Sequence, residues 1–286
     1  MTEHYIKANG IQLHYMEEGQ GELVILLHGF PEFWYGWRKQ IPVLSKKYRV
    51  VAIDMRGYNL SDKPQGINAY KIDVLAKDIA ELIEALGEKK AVVVGHDWGA
   101  AVAWAVASLY PKMVSKLAVL NVPHPSEMKK ALMHFNLAQW AKSYYIFLFQ
   151  LPWLPEIFLG KDLKRFFTRA FASFAPKGKE PSVSEKEIEK YIEAFSQPGV
   201  LTAAVNYYRA TFRQIKDANL GSGGKLKMPV LMLWGEQDKA LGKELTYNTK
   251  DYCEDLEIIY DPTSGHFIQH DNPELVNSKL MAFLGK

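Results

Sequence analysis

The 286 residues contain one cysteine, Cys253. No intramolecular disulfide can therefore staple the fold, and the chain suits a reducing compartment such as the cytoplasm. An excess of one charge is lacking too. The 35 Lys and Arg against 32 Asp and Glu leave +3, far short of the basic surplus of a nucleic-acid binder. A membrane-crossing helix needs about 20 apolar residues. The uncharged stretch Ser143 to Pro155 (SYYIFLFQLPWLP) is shorter and carries Pro152. It is expected to be a buried or cavity-facing helix rather than a segment lying on a membrane. The opening MTEHYIKANG has no basic stretch followed by an apolar run, so no export signal is expected. A glycine-rich phosphate loop and a metal-ligand cluster are both missing, so the expectation is no metal and no cofactor. What remains is a cytoplasmic enzyme acting on a small molecule, as a monomer or a homodimer.

What is present reads as alternating α and β. His4 to Ala8 and Ile11 to Met16 flank Asn9-Gly10, a strong hairpin signal. Leu23 to Leu27 is a continuous apolar run, as a strand buried on both faces requires. Strands follow at Tyr48 to Ile53, Ala91 to Val94 and Leu117 to Leu120, with helical stretches at Ile72 to Leu86 and Gly99 to Leu109. Strand, crossover helix, strand is the pattern of a mostly parallel sheet flanked by helices. After Asn121-Val122-Pro123-His124-Pro125 about 100 residues show helical periodicity only, up to the joint Gly221-Ser222-Gly223-Gly224. Strands resume at Pro229 to Trp234 and Leu256 to Tyr260, and Pro273 to Leu284 closes the chain as a helix. The predicted organisation is a core over 1–124 and 225–286, interrupted by a helical lid over 125–224. That lid holds 17 of the 36 aromatic residues. They serve either as its own core or as the lining of an apolar substrate cavity.

The chemistry concentrates at Gly95-His96-Asp97-Trp98-Gly99, between an apolar strand and an alanine-rich helix. This is the context of a nucleophile elbow, in which a sharp strand-to-helix turn pushes one side chain out over the sheet edge. The central residue is Asp97 instead of serine, which changes the reaction class. A carboxylate attacks tetrahedral carbon bearing a leaving group and becomes an alkyl ester. Asp238, just past the strand Pro229 to Trp234, and His266, after the strand ending at Tyr260, follow in the order nucleophile, acid, histidine. Both fall beyond the carboxyl ends of strands, where open α/β sheets gather their sites. The loop His28-Gly29-Phe30-Pro31-Glu32 follows the Leu23 to Leu27 strand. Together with the residue after the nucleophile it supplies the oxyanion hole in this architecture, here the main-chain N–H groups of Phe30 and Trp98. His28 reads as a loop brace, and Pro31 as a candidate for a cis bond.

Over essentially its whole length the chain resembles the α/β-hydrolase-fold epoxide hydrolases. The resemblance rests on HGFPE, Asp54-Met55-Arg56-Gly57-Tyr58, Ser61-Asp62-Lys63-Pro64, GHDWGA, SYYIFLFQLP, NYYR, WGEQD and SGHFIQHDNPE. It implies an α/β-hydrolase fold with a cap, conversion of small lipophilic epoxides and water to vicinal diols, and two cap tyrosines that polarise the epoxide oxygen. The Ser-x-Tyr-x-x-x-x-Gln pattern puts the first at Tyr145, where periodicity does not choose between it and Tyr144. The Tyr-Arg pair puts the second at Tyr208. Periodicity favours Tyr208 over Tyr207, because Leu201, Val205, Tyr208, Phe212 and Ile215 form an apolar stripe beside the more polar Ala204, Thr211 and Gln214. Phe30, Pro31, Trp98, Tyr145 and Tyr208 are expected to line the pocket. Haloalkane and haloacid dehalogenases resemble this fold and use the same aspartate. They carry a second halide donor, often Asn where this chain has Phe30, and lack the tyrosine pair. A non-catalytic receptor on the fold would show a broken triad, and an esterase would need serine or cysteine at the elbow.

Overall fold

A computed structural model describes residues 1–133, 147–214 and 224–286. Eight strands form one sheet: β1 (Thr2–Ala8), β2 (Ile11–Glu18), β3 (Leu23–Leu27), β4 (Arg49–Ile53), β5 (Ala91–His96), β6 (Val114–Leu120), β7 (Val230–Gly235) and β8 (Leu256–Asp261). Their spatial order is β1-β2-β4-β3-β5-β6-β7-β8. Only β1–β2 and β2–β4 pair antiparallel, and the rest of the sheet is parallel. The α/β-hydrolase fold and every strand read from the sequence are therefore found. Asn9 and Gly10 both take positive φ, 47° and 75°, the conformation that a two-residue hairpin turn demands and that these residue types tolerate.

The apolar run of β3 explains why the sheet has helices on both faces. Ile25 and Leu27 point into one core cluster with Val93, Leu75 and Val102, whereas Val24 and Leu26 point into the other with Val94, Ile41 and Leu280. Helices Ile72–Ala85 and Trp98–Leu109 cover the first face, and Ile41–Leu44 and Pro273–Leu284 the second. Between β6 and β7 the described chain is helical: Pro125–Met133, Leu154–Gly160, Leu163–Phe174, Glu185–Phe195 and Val200–Gln214. Phe167, Tyr191, Phe195, Tyr207 and Tyr208 of this insertion join the first core cluster.

Two sequence expectations are corrected. Of the stretch Ser143 to Pro155, residues 143–146, and with them Tyr145, lie outside the described residues. Leu148, Leu151, Trp153 and Leu154 are exposed rather than buried. The apolar stripe also fails as a criterion. Phe212 is exposed and Leu201 half-buried, while Ala204 and Tyr207 are fully buried. Helix Val200–Gln214 is covered on one side by Leu154–Gly160 and on another by the turn Ile67–Tyr70 and helix Ile72–Ala85. No single face of it points to a core.

A tight crossing lies where helix Trp98–Leu109 leaves β5. A Cβ on Gly99 would run into the Leu27 carbonyl of β3, and one on Gly95 into the Gly99 carbonyl. Gly99→Ala should therefore cost about 1–3 kcal/mol of stability, read from the midpoint of urea unfolding. A midpoint equal to that of the wild type would contradict this close approach.

Candidate active site

Asp97 occupies the turn between β5 and helix Trp98–Leu109 with φ 49° and ψ −123°. An L-residue held there costs about 1–3 kcal/mol. The surrounding contacts fix it: its carbonyl accepts from Ala100 N (2.9 Å) and Ala101 N (3.0 Å), so the helix starts directly on it. The side chain keeps 18% exposure, enough for a reagent to reach it. Its two oxygens face different partners. Oδ1 accepts from the Phe30 amide at 2.7 Å, and Oδ2 lies 3.5 Å from His266 Nε2. Trp98 is the first residue of the helix, so its N–H has no intrahelical acceptor.

The other imidazole nitrogen of His266, Nδ1, is 2.8 Å from Asp238 Oδ2. Asp238 is held in turn. Its Oδ1 accepts from Ala240 N (2.7 Å) and Leu241 N (3.0 Å), and its Oδ2 from Asn121 Nδ2 (2.8 Å). Asn121 follows β6 with φ 52° and also accepts from Gly235 N through Oδ1 at 2.9 Å. Burial works against an ionised Asp238, but the facing His266 and the donated hydrogen bonds hold its pKa below the usual carboxylate value. For His266 burial again opposes charge, yet Asp238 and Asp97 outweigh it and raise the pKa well above the ordinary imidazole range. Both neighbouring carboxyl groups thus favour the protonated form of the His266 ring.

His28 is a brace, with Nδ1 donating to Gly29 O (2.9 Å) and Nε2 accepting from Met55 N (3.0 Å). The Phe30–Pro31 peptide is cis. Tyr207 donates its hydroxyl to the Arg56 carbonyl at 2.7 Å. The ring of Tyr208 packs on Trp98 and Phe149, with centroids 4.9 and 4.8 Å away, and on Phe30 at 5.8 Å. Tyr208 thus packs on both Trp98 and Phe30, whereas the ring of Tyr207 meets Trp98 with centroids 5.6 Å apart and its hydroxyl is taken by the Arg56 carbonyl.

Three supporting groups escaped the sequence reading. Asn121 is one. Arg209 is another: it grips Glu156 through two bonds (2.6 and 3.1 Å) and donates to the carbonyls of Phe149 and Leu151, fixing the segment that carries Phe149 against Tyr208. The third is Glu32, fully buried behind the triad. Its Oε2 meets His96 Nδ1 (3.0 Å) and Gln269 Nε2 (3.1 Å), and its Oε1 meets His270 Nε2 (2.6 Å). Burial disfavours its charge, but His270 and His96 hold its carboxyl well below the usual range. From the other edge of His96, Nε2 reaches the carbonyl oxygen of His266 at 2.9 Å. Arg38 continues the chain of bonds from His270 Nδ1 (3.0 Å) to Glu187 in the helical insertion (2.5 Å). HGFPE was the signal for Glu32, but sequence spacing gives no hint of partners more than 200 residues away.

Because Asp97 is one of two carboxylates that raise the His266 pKa, Asp97→Asn should lower it while leaving the Asp238 contribution in place. Titration of the His266 ring proton by NMR reads this shift. An unchanged pKa would mean that Asp97 and His266 are not electrostatically coupled.

Residues 22–273 match the family model described as alpha/beta hydrolase fold. The chain is 41% identical to AB hydrolase superfamily protein YfhM of Bacillus subtilis (strain 168), covering 98% of this chain and 96% of that protein. It is 39% identical to epoxide hydrolase 4 of Homo sapiens over 98% of this chain and 77% of that one. A crystal structure of Bacillus megaterium epoxide hydrolase in complex with an inhibitor superposes with a TM-score of 0.89 at 34% identity, covering 99% of this chain and all of that one. With the aspartate elbow and the triad geometry described above, the chain belongs to the α/β-hydrolase-fold epoxide hydrolases.

Proposed function

We propose that the protein hydrolyses lipophilic epoxides to vicinal diols in two steps, with Asp97 as nucleophile. The observation that carries this reading is the asymmetric environment of the Asp97 carboxylate. Oδ1 is already held by the Phe30 amide and becomes the carbonyl oxygen of the ester. Oδ2, on the His266 side, attacks the epoxide carbon. The ring C–O bond breaks, and the departing oxygen takes a proton from a phenol. We assign that role to Tyr208, which stands over Trp98 and Phe30, and to Tyr145, which lies outside the described residues. Such donors act where negative charge develops, in a site that excludes water.

Forming the ester removes one of the two negative charges that hold a proton on His266. The imidazolium becomes acidic at the moment a base is needed, and its proton passes to the phenolate left by ring opening. The neutral ring then takes a proton from water. Asp238 supports it as in other triads. Hydroxide attacks the ester carbonyl, and the Phe30 and Trp98 amides stabilise the oxyanion. Collapse expels the diol, whose alkoxide takes its proton from His266. The carboxyl proton of Asp97 then passes to the imidazole, restoring the carboxylate and the imidazolium. The residues over 125–224 act as the cap of this site. A single thiol with no disulfide partner fits the cytoplasm.

Styrene oxide, a fatty-acid epoxide and a chloroalkane, with diol and halide measured separately, test the reaction. Diol from the epoxides and no halide is expected, with turnover abolished in Asp97→Ala. Halide release, or a fully active Asp97→Ala, would overturn the assignment. Tyr145→Phe combined with Tyr208→Phe should slow ring opening by about 10²–10⁴-fold or more. Normal ring opening in that double variant would make both residues packing groups.

A further inference from the structure

Thirteen large hydrophobic side chains are exposed among the described residues, and six of them fall between residues 148 and 158. Trp153 is 76% exposed, Phe158 73% and Ile157 61%, beside Leu148, Leu151 and Leu154. A scattered exposed hydrophobe needs no explanation, but a contiguous set on one short segment marks an interaction surface. Trp153 takes φ 59° at the start of helix Leu154–Gly160, an uncommon conformation for a bulky residue. The mechanism uses none of these side chains.

The charges around the patch indicate what covers it. Lys161, Lys164 and Arg165 follow it directly and are exposed, and Arg213 lines the same groove as Trp153 and Ile157. None of these four side chains forms an ion pair among the described residues. The nearby acids are otherwise engaged. Glu156 is bound by Arg209, and Asp162 caps helix Leu163–Phe174 by accepting from Arg165 N at 2.9 Å. An apolar patch bearing tryptophan and phenylalanine, bordered by free cations, has the chemistry of an interfacial membrane contact. The rings enter the headgroup region while Lys and Arg stay at the charged surface. A symmetric dimer through this face would bring two sets of like charges together. A basic rim favours an anionic bilayer over a second copy of the chain.

We propose that the outer face of the helical insertion, from Leu148 to Arg165, docks reversibly on anionic phospholipid membranes. The contact is peripheral: among the described residues no helix is long and apolar enough to cross a membrane. It does not depend on which epoxide the enzyme turns over.

Co-sedimentation of the full chain with vesicles of phosphatidylcholine, with and without phosphatidylglycerol, tests this. Binding should require phosphatidylglycerol and weaken as salt rises. The triple change Trp153→Ser, Ile157→Ser, Phe158→Ser should reduce partitioning by at least about tenfold. Lys161→Glu with Lys164→Glu should also reduce it, by about fivefold or more per residue. Both variants should keep the wild-type thermal unfolding and turnover of a water-soluble epoxide. The proposal is overturned if neither vesicle binds the protein, or if binding survives the triple change. It is equally overturned if the protein instead forms a dimer that the triple change dissociates.

Discussion

The Asp97 carboxylate depends on two donors that reach it from distant parts of the chain: the Phe30 amide after β3 and the His266 imidazole after β8. The close crossing at Gly95 and Gly99 lets helix Trp98–Leu109 start against the Leu27 carbonyl. Asp97, with its positive φ, sits between these two glycines. The sheet order places β3 and β5 side by side, so the Phe30 loop and Asp97 emerge at one edge. Asp238 and His266 arrive at that edge from β7 and β8. Asn121, after β6, ties the two halves together by bonding both Asp238 and Gly235.

Behind the catalytic groups lies a second layer that is wholly polar and buried. Glu32, His96, His270 and the Gln269 amide nitrogen bond to one another, and His96 also bonds the main chain of His266 itself. Removing one member would leave the others as unpaired polar groups in a low-dielectric interior, where such groups are costly. Through Arg38 and Glu187 the layer also reaches the helical insertion. One continuous set of hydrogen bonds therefore links the backbone of the triad histidine to the part of the chain that carries Tyr208.

Much of this was legible in the sequence where the physics is local. β3 and β5 show themselves as apolar runs, Asn9-Gly10 as a turn, and Asp97 as a carboxylate where the elbow expects serine. Asp238 and His266 were legible through order along the chain. What could not be read was set by tertiary partners. Tyr207 and Tyr208 are neighbours on a helix covered from two sides, and their roles part because the Arg56 carbonyl, 151 residues away, takes the Tyr207 hydroxyl. The stripe of apolar residues pointed to Tyr208 for a reason the structure does not share. Likewise the apolar stretch ending at Pro155 suggested a buried or cavity-facing helix. Phe149 does pack inward on Phe30 and Tyr208, but Leu148, Leu151, Trp153 and Leu154 face solvent, because nothing in hydrophobicity alone says which side of a surface element a partner occupies.

The covalent ester on Asp97 is the central claim, and the fate of solvent oxygen tests it most directly. In a single turnover in water enriched in heavy oxygen, attack of water on the ester carbonyl leaves label in the peptide containing Asp97. The first diol released then carries an unlabelled oxygen from the enzyme. With His266→Gln, ring opening should proceed and the ester should accumulate as a mass adduct on the same peptide. Label in the first diol, none in the peptide and no adduct would mean that water attacks the epoxide directly, and would contradict the account.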